Sequence, residues 1–201
     1  MAIFYPQAQL HPCEHFNPRP EGNAGEVSLL VIHNISLPAG YFGGNYISQL
    51  FAGTLASTAH PSFIELEGLM VSAHACIRRD GSVIQYVDFM QRAWHAGISS
   101  FQGRSSCNDY SIGIELEGTD TLPYTCAQYS ALADLSNYII AQFPKITIGR
   151  IVGHNDIAPG RKTDPGGAFD WSRFRQSLEF TNTKTNTNTD TNQDNNKGLS
   201  A

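Results

Sequence analysis

The stretch VSLLVIHNI, residues 27–35, decides the fold class, because a continuous apolar run of this length suits a buried strand. A second strand is predicted for SIGIELE, residues 111–117, where apolar side chains alternate with glycine and glutamate. This period of two indicates a half-buried strand. Its acidic residues Glu115 and Glu117 share the face opposite the core.

Further elements alternate along the chain around these two strands. The turn at Asp80-Gly81 tolerates a positive φ and joins two short strands into a hairpin. Thr125 and Gln128 form a capping-box pattern that starts a helix, and Pro144 ends it. The other predicted elements are a helix over 45–51, strands over 71–77, 82–87 and 146–152, and a last helix capped by Asp170. The order predicts an α/β protein, a single domain with a central mixed β-sheet flanked by helices.

Three segments of different character divide the chain. Residues 1–26 are predicted to be a loose N-terminal loop segment, and residues 27–180 carry the strands and helices of the folded domain. Residues 181–201 are rich in threonine, asparagine and aspartate, and they bury too little apolar surface to offset their conformational entropy. We therefore expect a disordered low-complexity tail from Thr181 onward.

Composition narrows the classes of function. The 201 residues carry a net charge of -5, and no basic patch or stripe of the kind that binds nucleic acid is visible. No apolar run approaches the ~20 residues that span a bilayer, and the first residues lack the pattern of a secretion signal. Without an export signal, the four cysteines are expected to be free thiols in a reducing cytoplasm.

Three residues able to bind a metal ion follow or end predicted strands. They are His33 in LLVIHN, His154 in IVGHND and Asp164 in RKTDPG. Imidazole nitrogen and carboxylate oxygen suit Zn²⁺, and a catalytic zinc site holds three protein ligands and a water molecule. Spacing alone does not establish a site, because a single histidine at a strand end is more often a hydrogen-bonded structural residue.

Several longer segments carry a more specific signal. Five segments of the chain resemble the N-acetylmuramyl-L-alanine amidases of the AmpD type. They are VIHNISLPAGYFGG, VSAHACIRRDG, RAWHAGISSFQGR, CNDYSIGIELEGTD and VGHNDIAPGRKTDPG. That family belongs to a superfamily with peptidoglycan recognition proteins and phage amidases. The resemblance runs from about Ser28 to Phe174. It implies an amidase domain over 27–180, with zinc in a groove at one side of the mixed sheet.

Carried over position by position, the resemblance makes His33, His154 and Asp164 the zinc ligands. It makes Glu115 the catalytic carboxylate and Lys162 a cationic stabiliser of the developing oxyanion. A carboxylate near the metal can take a proton from water and pass it to the leaving amine. An ammonium group can stabilise negative charge on the carbonyl oxygen. The alternative for Lys162 is a plain surface charge.

The choice between the two acidic residues stays open on sequence physics, since Glu115 and Glu117 share one strand face. Both could also simply face solvent. Recognition proteins and phage amidases usually carry tyrosine where this chain has Ala73, immediately before His74. No tyrosine can assist from that position, which favours Glu115. His74 itself is predicted to be structural.

Four residues are predicted to contact substrate. Trp94 and His95 are expected to form the groove wall, although a structural hydrogen bond is an alternative for His95. Asn34 is expected to bind substrate or to orient His33. Arg104, or alternatively Arg78, is expected to bind peptide carboxylates, because this chain lacks the basic residues that relatives carry near 70 and 106.

The resemblance implies zinc-dependent hydrolysis of the amide between (1,6-anhydro-)N-acetylmuramic acid and L-alanine. With no export signal visible, we expect a cytoplasmic monomer that recycles muropeptides and contacts neither nucleic acid nor membrane. One rival is a muropeptide-binding module without activity, which typically lacks a zinc ligand. The other rival is an exported amidase that acts on polymeric wall.

Overall fold

The computed structural model describes residues 2–179, which form one six-stranded sheet and two small two-stranded sheets. The large sheet has the order β1-β5-β4-β9-β3-β10, and β2–β6 and β7–β8 are the small antiparallel pairs. The strands are β1 (Gln9–Leu10), β2 (Phe16–Pro18), β3 (Leu29–Ile35), β4 (Ala75–Ile77), β5 (Val83–Gln85), β6 (Gln91–Ala93), β7 (Ser100–Phe101), β8 (Arg104–Ser105), β9 (Ser111–Glu117) and β10 (Ile151–Gly153).

The large sheet is mixed, as predicted. Strands β4 and β5 form the antiparallel hairpin, with Gly81 at a φ of 87° in its turn. The other pairs are parallel, and β3 pairs with β9 along its whole length. In this register His33 lies opposite Glu115. The single-domain α/β prediction is therefore confirmed for the described residues.

Helices cover both faces of the sheet. The α-helices are α1 (Tyr46–Phe51), α2 (Cys126–Gln142), α3 (His154–Ile157) and α4 (Trp171–Gln176). Short 3₁₀ helices span Gly22–Ala24, Ser57–Ala59, Pro61–Leu66, Cys107–Asp109 and Ile148–Arg150. The predicted caps are present, because Thr125 accepts a hydrogen bond from the backbone N–H of Gln128 and Asp170 accepts one from Arg173.

The two faces of the sheet are packed differently. One face carries the main core, where α2 and α4 pack on Ile112, Ile114 and Leu116 of β9. The other face carries two separate apolar clusters, one under α1 and one beside α3. The outward side chains of β9 lie between these two clusters. The gap between them forms the groove in which the polar residues described below meet.

Several predicted strands differ from the observed ones. The strand expected over 71–77 is only Ala75–Ile77, and the strand expected over 82–87 is only Val83–Gln85. The strand expected over 146–152 is only Ile151–Gly153, because residues Ile148–Arg150 form a turn of 3₁₀ helix. Strand β9 has the predicted bounds, but it is not half-buried. Glu117 is only 2% exposed and Ser111 is fully buried, because loops and the groove walls cover the acidic face as well.

The N-terminal segment is ordered against the domain, so the expectation of a loose loop is wrong for residues 2–26. Strand β1 extends the sheet beside β5, and β2 pairs with β6. Tyr5 and Cys13 are buried, and the Cys13 thiol donates a hydrogen bond to the carbonyl of Phe51. The predicted tail over 181–201 lies outside the described residues. Among residues 2–179, no helix has both the length and the apolar character needed to cross a bilayer.

Candidate metal centre

The three residues predicted as metal ligands come from neighbouring elements. His33 lies in β3, and His154 is the first residue of α3, directly after β10. Because β10 pairs in parallel with β3, the two histidines lie side by side. Asp164 does not follow a strand, contrary to the prediction. Its loop returns to α3, where the Asn155 backbone N–H donates to the Asp164 carbonyl at 3.0 Å.

The ligand atoms form an equilateral triangle. Nδ1 of His33, Nδ1 of His154 and Oδ2 of Asp164 each lie 3.0 Å from the other two. Zinc–ligand distances of about 2.0 Å with tetrahedral angles place two ligand atoms about 3.3 Å apart. Two imidazoles and one carboxylate are also a donor set that Zn²⁺ accepts. Within residues 2–179, these three residues could therefore hold one metal ion.

The protonation states at this triangle suit a cation. Burial lowers the pKa of His33 to about 4, although its hydrogen bond with Asp164 opposes the shift. Burial alone would raise the pKa of Asp164, but the hydrogen bonds with His154 and His33 outweigh it and hold the pKa below its usual range. At neutral pH His33 is therefore neutral and Asp164 is ionised, which are the forms that bind metal.

The remaining ring nitrogens have partners that orient the imidazoles. Nε2 of His33 lies 2.9 Å from Nδ1 of His95, and Nε2 of His154 lies 3.1 Å from the carbonyl oxygen of Ala96. Arg161 donates to the same carbonyl at 2.7 Å. These contacts turn both Nδ1 atoms toward Asp164, which is the usual role of outer partners at a metal site.

The triangle opens into a cavity of about 270 Å³. One wall is apolar and comes from α1 and from the segments before and after it. Its residues are Leu37, Leu50, Phe51, Leu66, Leu69 and Val71. The opposite wall is polar, and it brings together eight of the nine predicted site residues. These are His33, Asn34, Trp94, His95, Glu115, His154, Lys162 and Asp164.

Glu115 reaches the cavity from β9, next to His33 in the register of the sheet. Its Oε2 atom is buried and has no hydrogen-bond partner among residues 2–179. Burial raises the pKa of Glu115 well above its ordinary value, the charge of Asp164 raises it further, and Lys162 opposes both. A buried carboxyl oxygen without a protein partner is uncommon and points to a partner outside the chain.

Glu117 has a different environment, although it shares the strand face with Glu115. Its carboxylate accepts hydrogen bonds from the backbone N–H groups of Gly43 and Arg79. It does not line the cavity and instead ties two loops to the end of β9. The solvent-facing alternative is wrong for Glu117, which is 2% exposed, whereas Glu115 is partly exposed and faces the cavity. The structure thus separates two carboxylates that the sequence pattern left equivalent.

Of the remaining predicted residues, Lys162, Asn34 and Trp94 line the cavity and Arg104 does not. Lys162 is exposed and lines the cavity near Asp164. Asn34 also lines it, and its amide donates to Asp120 at 2.8 Å. The Trp94 indole N–H donates to the side chain of Asn17 in β2 at 2.6 Å, so the N-terminal segment holds this ring in place.

Arg104 does not lie at the cavity, so the prediction that it binds substrate lacks geometric support. Its guanidinium lies 3.6 Å from the ring centroid of Tyr110 and donates to the backbone carbonyls of Asn23 and Ala24. Arg78, at the hairpin turn, is also absent from the cavity lining. The sequence did not predict that the Ala96 carbonyl faces His154 or that Arg161 donates to the same carbonyl. A backbone carbonyl can accept a hydrogen bond in any residue type, so the sequence carries no signal for this contact.

Comparisons with known proteins agree with this geometry. Residues 23–167 match the N-acetylmuramoyl-L-alanine amidase family. The 1,6-anhydro-N-acetylmuramyl-L-alanine amidase AmpD of Salmonella typhimurium strain SL1344 is 55% identical over 178 residues, which cover 89% of this chain and 94% of that protein. AmpD of Escherichia coli K12 is 58% identical over 164 residues, covering 82% of this chain and 88% of that one.

Solved structures give the same picture. A crystal structure of a selenomethionine AmpD derivative superposes with a TM-score of 0.84 at 55% identity, covering 88% of this chain and 97% of that one. The E. coli amidase AmiD, in complex with the substrate anhydro-N-acetylmuramic acid-L-Ala-D-γ-Glu-L-Lys, matches with a TM-score of 0.57 at 30% identity, covering 79% and 61% of the two chains. The chain therefore belongs to the N-acetylmuramoyl-L-alanine amidase family, and within it to the AmpD-type 1,6-anhydro-N-acetylmuramyl-L-alanine amidases.

Proposed function

We propose that this protein is a zinc-dependent amidase that cleaves the bond between 1,6-anhydro-N-acetylmuramic acid and L-alanine in muropeptides. The single observation that carries the proposal is the triangle of His33, His154 and Asp164 beside Glu115 in one cavity. The names of the relatives and the substrate held by AmiD support the same bond as the target.

His33, His154 and Asp164 would hold the zinc through the three atoms that face one another. When bound, the ion supplies a Lewis acid for the amide carbonyl and lowers the pKa of a water molecule toward neutrality. The protein contributes the orientation. His95 and the Ala96 carbonyl fix the two imidazoles, so the ligand atoms need little rearrangement.

Glu115 would handle the proton. As a carboxylate it accepts a proton from the attacking water, whose oxygen forms a bond to the carbonyl carbon. It then gives that proton to the nitrogen of L-alanine as the C–N bond breaks, which leaves a lactyl carboxylic acid and a free amine. The carboxylic acid loses its remaining proton to solvent at neutral pH. Burial raises the pKa of Glu115, which makes its carboxylate a stronger base toward the proton of the water molecule.

Lys162 would stabilise the negative charge that develops on the carbonyl oxygen, because its ammonium group can extend over the cavity from the loop before Asp164. Asn34, Trp94 and His95 would form the substrate wall on the polar side. The apolar wall from α1 would cover the uncharged parts of the muropeptide. Arg104 is left out of this assignment.

We further propose a cytoplasmic role in cell-wall recycling, with a catalytic domain at residues 27–180 acting as a monomer without nucleic acid or membrane. A non-catalytic muropeptide binder is disfavoured, since such modules typically lack a ligand and all three are present here. Cell fractionation and sedimentation of the purified chain test the location and the monomeric state. Recovery in the membrane fraction or as a stable oligomer would contradict them.

The activity is tested with purified 1,6-anhydro-muropeptide and chromatography of the released peptide. We expect cleavage that a chelator abolishes and that stoichiometric Zn²⁺ restores. Zinc binding without peptide release would support the binding module instead. Intact sacculi form the second arm. Efficient digestion of sacculi with poor cleavage of anhydro-fragments would contradict the recycling role while leaving the amidase chemistry in place.

A further inference from the structure

A chain of hydrogen bonds runs from His33 away from the cavity and into the domain. Nε2 of His33 lies 2.9 Å from Nδ1 of His95. Nε2 of His95 lies 3.0 Å from the hydroxyl oxygen of Ser111, and that hydroxyl lies 2.6 Å from the carbonyl oxygen of Cys107. The series ends at a backbone carbonyl on the 3₁₀ turn before β9.

The last member of this chain sets the direction of every bond before it. A backbone carbonyl only accepts, so the Ser111 hydroxyl spends its single hydrogen on Cys107 and can only accept from His95. His95 therefore carries its hydrogen on Nε2. A neutral imidazole has one N–H group, so Nδ1 of His95 must accept from Nε2 of His33. His33 is then left with a free lone pair on Nδ1, the atom that faces His154 and Asp164.

The sheet reserves the space that this arrangement needs. A Cβ atom added to Gly113 would lie 2.4 Å from Cγ of the His95 ring, much closer than real contacts allow. Gly113 does not have a positive φ, so its backbone conformation does not require glycine. The ring of His95 thus lies directly against the strand. Every second residue of β9 points to this face of the sheet, namely Ser111, Gly113 and Glu115. Ser111 accepts the hydrogen bond from His95, Gly113 leaves space for the His95 ring, and Glu115 is the acid in the cavity.

We propose that His95 and Ser111 are positioning residues that hold His33 in the tautomer whose Nδ1 lone pair points at the metal position. This inference rests on the proposed zinc site, but it concerns the protein before any ion binds. It gives His95 a positioning task in addition to the substrate contact expected from the sequence. The Cys107 carbonyl determines the direction of these hydrogen bonds, because a carbonyl oxygen can accept a hydrogen bond but cannot donate one.

The first test reads the tautomer directly. Long-range ¹H–¹⁵N NMR spectra of the metal-free, ¹⁵N-histidine-labelled full chain distinguish protonated from unprotonated ring nitrogens. We expect His33 and His95 both to carry hydrogen on Nε2 and none on Nδ1. A hydrogen on Nδ1 of His33 in the wild-type chain would overturn the proposal. This reading needs neither zinc nor turnover, so it can fail while the proposed function holds, and the reverse.

The second test compares two substitutions of nearly equal shape, His95→Asn and His95→Leu. The asparagine side chain offers an oxygen near the position of the lost Nδ1, whereas leucine offers no acceptor. Competition with a chromogenic chelator measures Zn²⁺ affinity. We expect His95→Leu to bind zinc about 10–100-fold more weakly than wild type, and His95→Asn to recover most of that loss.

The Zn²⁺ affinities of the two variants together distinguish a positioning role of His95 from a packing role. Equal weakening in both variants would mean that the imidazole acts only through its volume, and unchanged affinity in both would mean that it does not act on His33. Either result overturns the proposal. If His95→Leu fails to fold, the comparison of wild type with His95→Asn in the NMR experiment still decides, because Nε2 of His33 must stay protonated in both.

Discussion

The buried histidine His74 and the buried pair His33 and His154 lie on the same side of the sheet, but their ring nitrogens have different kinds of partner. At His74, Nδ1 accepts from the Gly113 backbone N–H at 3.0 Å, and Nε2 lies 3.1 Å from the Gln91 carbonyl, so both nitrogens have protein partners. At His33 and His154, one nitrogen of each ring is held by the protein, and the other points at a shared carboxylate. Burial alone does not mark a metal ligand. What distinguishes the proposed ligands His33 and His154 is a ring nitrogen that faces the carboxylate of Asp164.

The same contrast separates the two acids of β9. Both carboxylate oxygens of Glu117 accept hydrogen bonds from backbone N–H groups of two loops. Glu115, in contrast, has a buried oxygen without a hydrogen-bond partner among residues 2–179. Both side chains leave one strand face, two residues apart, so their surroundings and not their periodicity determine what they can do. Substitutions on each side of these two contrasts should therefore change different properties of the protein.

The largest effect is expected for His154→Ala. Only two protein ligands would remain, and a zinc site with two ligands does not retain the ion at neutral pH. We expect loss of stoichiometric zinc and a fall in kcat/KM of at least about 10³-fold, since a metal ion contributes several kcal/mol of transition-state stabilisation. Elemental analysis after gel filtration measures the metal. Full zinc content in this variant would contradict the ligand assignment.

Glu115→Gln should come next, with zinc retained and kcat reduced about 10²–10⁴-fold, because the amide cannot accept a proton. Glu117→Gln is the matched control two residues away. It should mainly lower the free energy of unfolding, by about 1–3 kcal/mol for a weakened buried hydrogen-bond acceptor. Steady-state kinetics and denaturant titration of both variants give the comparison. A larger loss of kcat in Glu117→Gln than in Glu115→Gln would exchange the two roles.

His74→Leu tests the structural histidine. It leaves the Gly113 N–H and the Gln91 carbonyl without their partner, and an unpaired buried polar group costs about 1–3 kcal/mol. We expect a lower free energy of unfolding in guanidinium chloride and an unchanged zinc content. If the variant instead lost zinc while its unfolding midpoint stayed at the wild-type value, the distinction between His74 and the pair His33 and His154 would be wrong.

The smallest effect is expected for Arg104→Ala. Its contact with the Tyr110 ring is partly exposed, so its loss should cost about 0.5–1 kcal/mol of stability. Because the side chain lies outside the cavity, KM for the anhydro-muropeptide should not change. A marked rise in KM with unchanged stability would restore Arg104 to the substrate-binding residues.

The sequence predicts well where local chemistry determines structure. The apolar run over residues 27–35, the alternation of residues 111–117 and the capping box at Thr125 each predict an element that is present. In each of these cases the signal lies within a few residues of the element. The resemblance to known amidases then named His33, Glu115, His154, Lys162 and Asp164 together, and the fold brings them to one cavity.

The sequence predicts poorly where a long-range partner determines the outcome. Strands of two or three residues, such as β1 and β2, are too short to show a period, so the docking of residues 2–26 was missed. The burial of Glu117 depends on loops about 38 and 74 positions away. Arg104 could not be excluded from the site until its partner Tyr110 was seen to lie outside the cavity.

The most direct test of the central claim is crystallography of the full chain with anomalous scattering measured on both sides of the zinc absorption edge. We predict a single strong peak about 2.0–2.2 Å from Nδ1 of His33, Nδ1 of His154 and Oδ2 of Asp164, with the Glu115 carboxylate on the open side. A fully active enzyme with no peak there, or with zinc bound by other residues, would contradict the account.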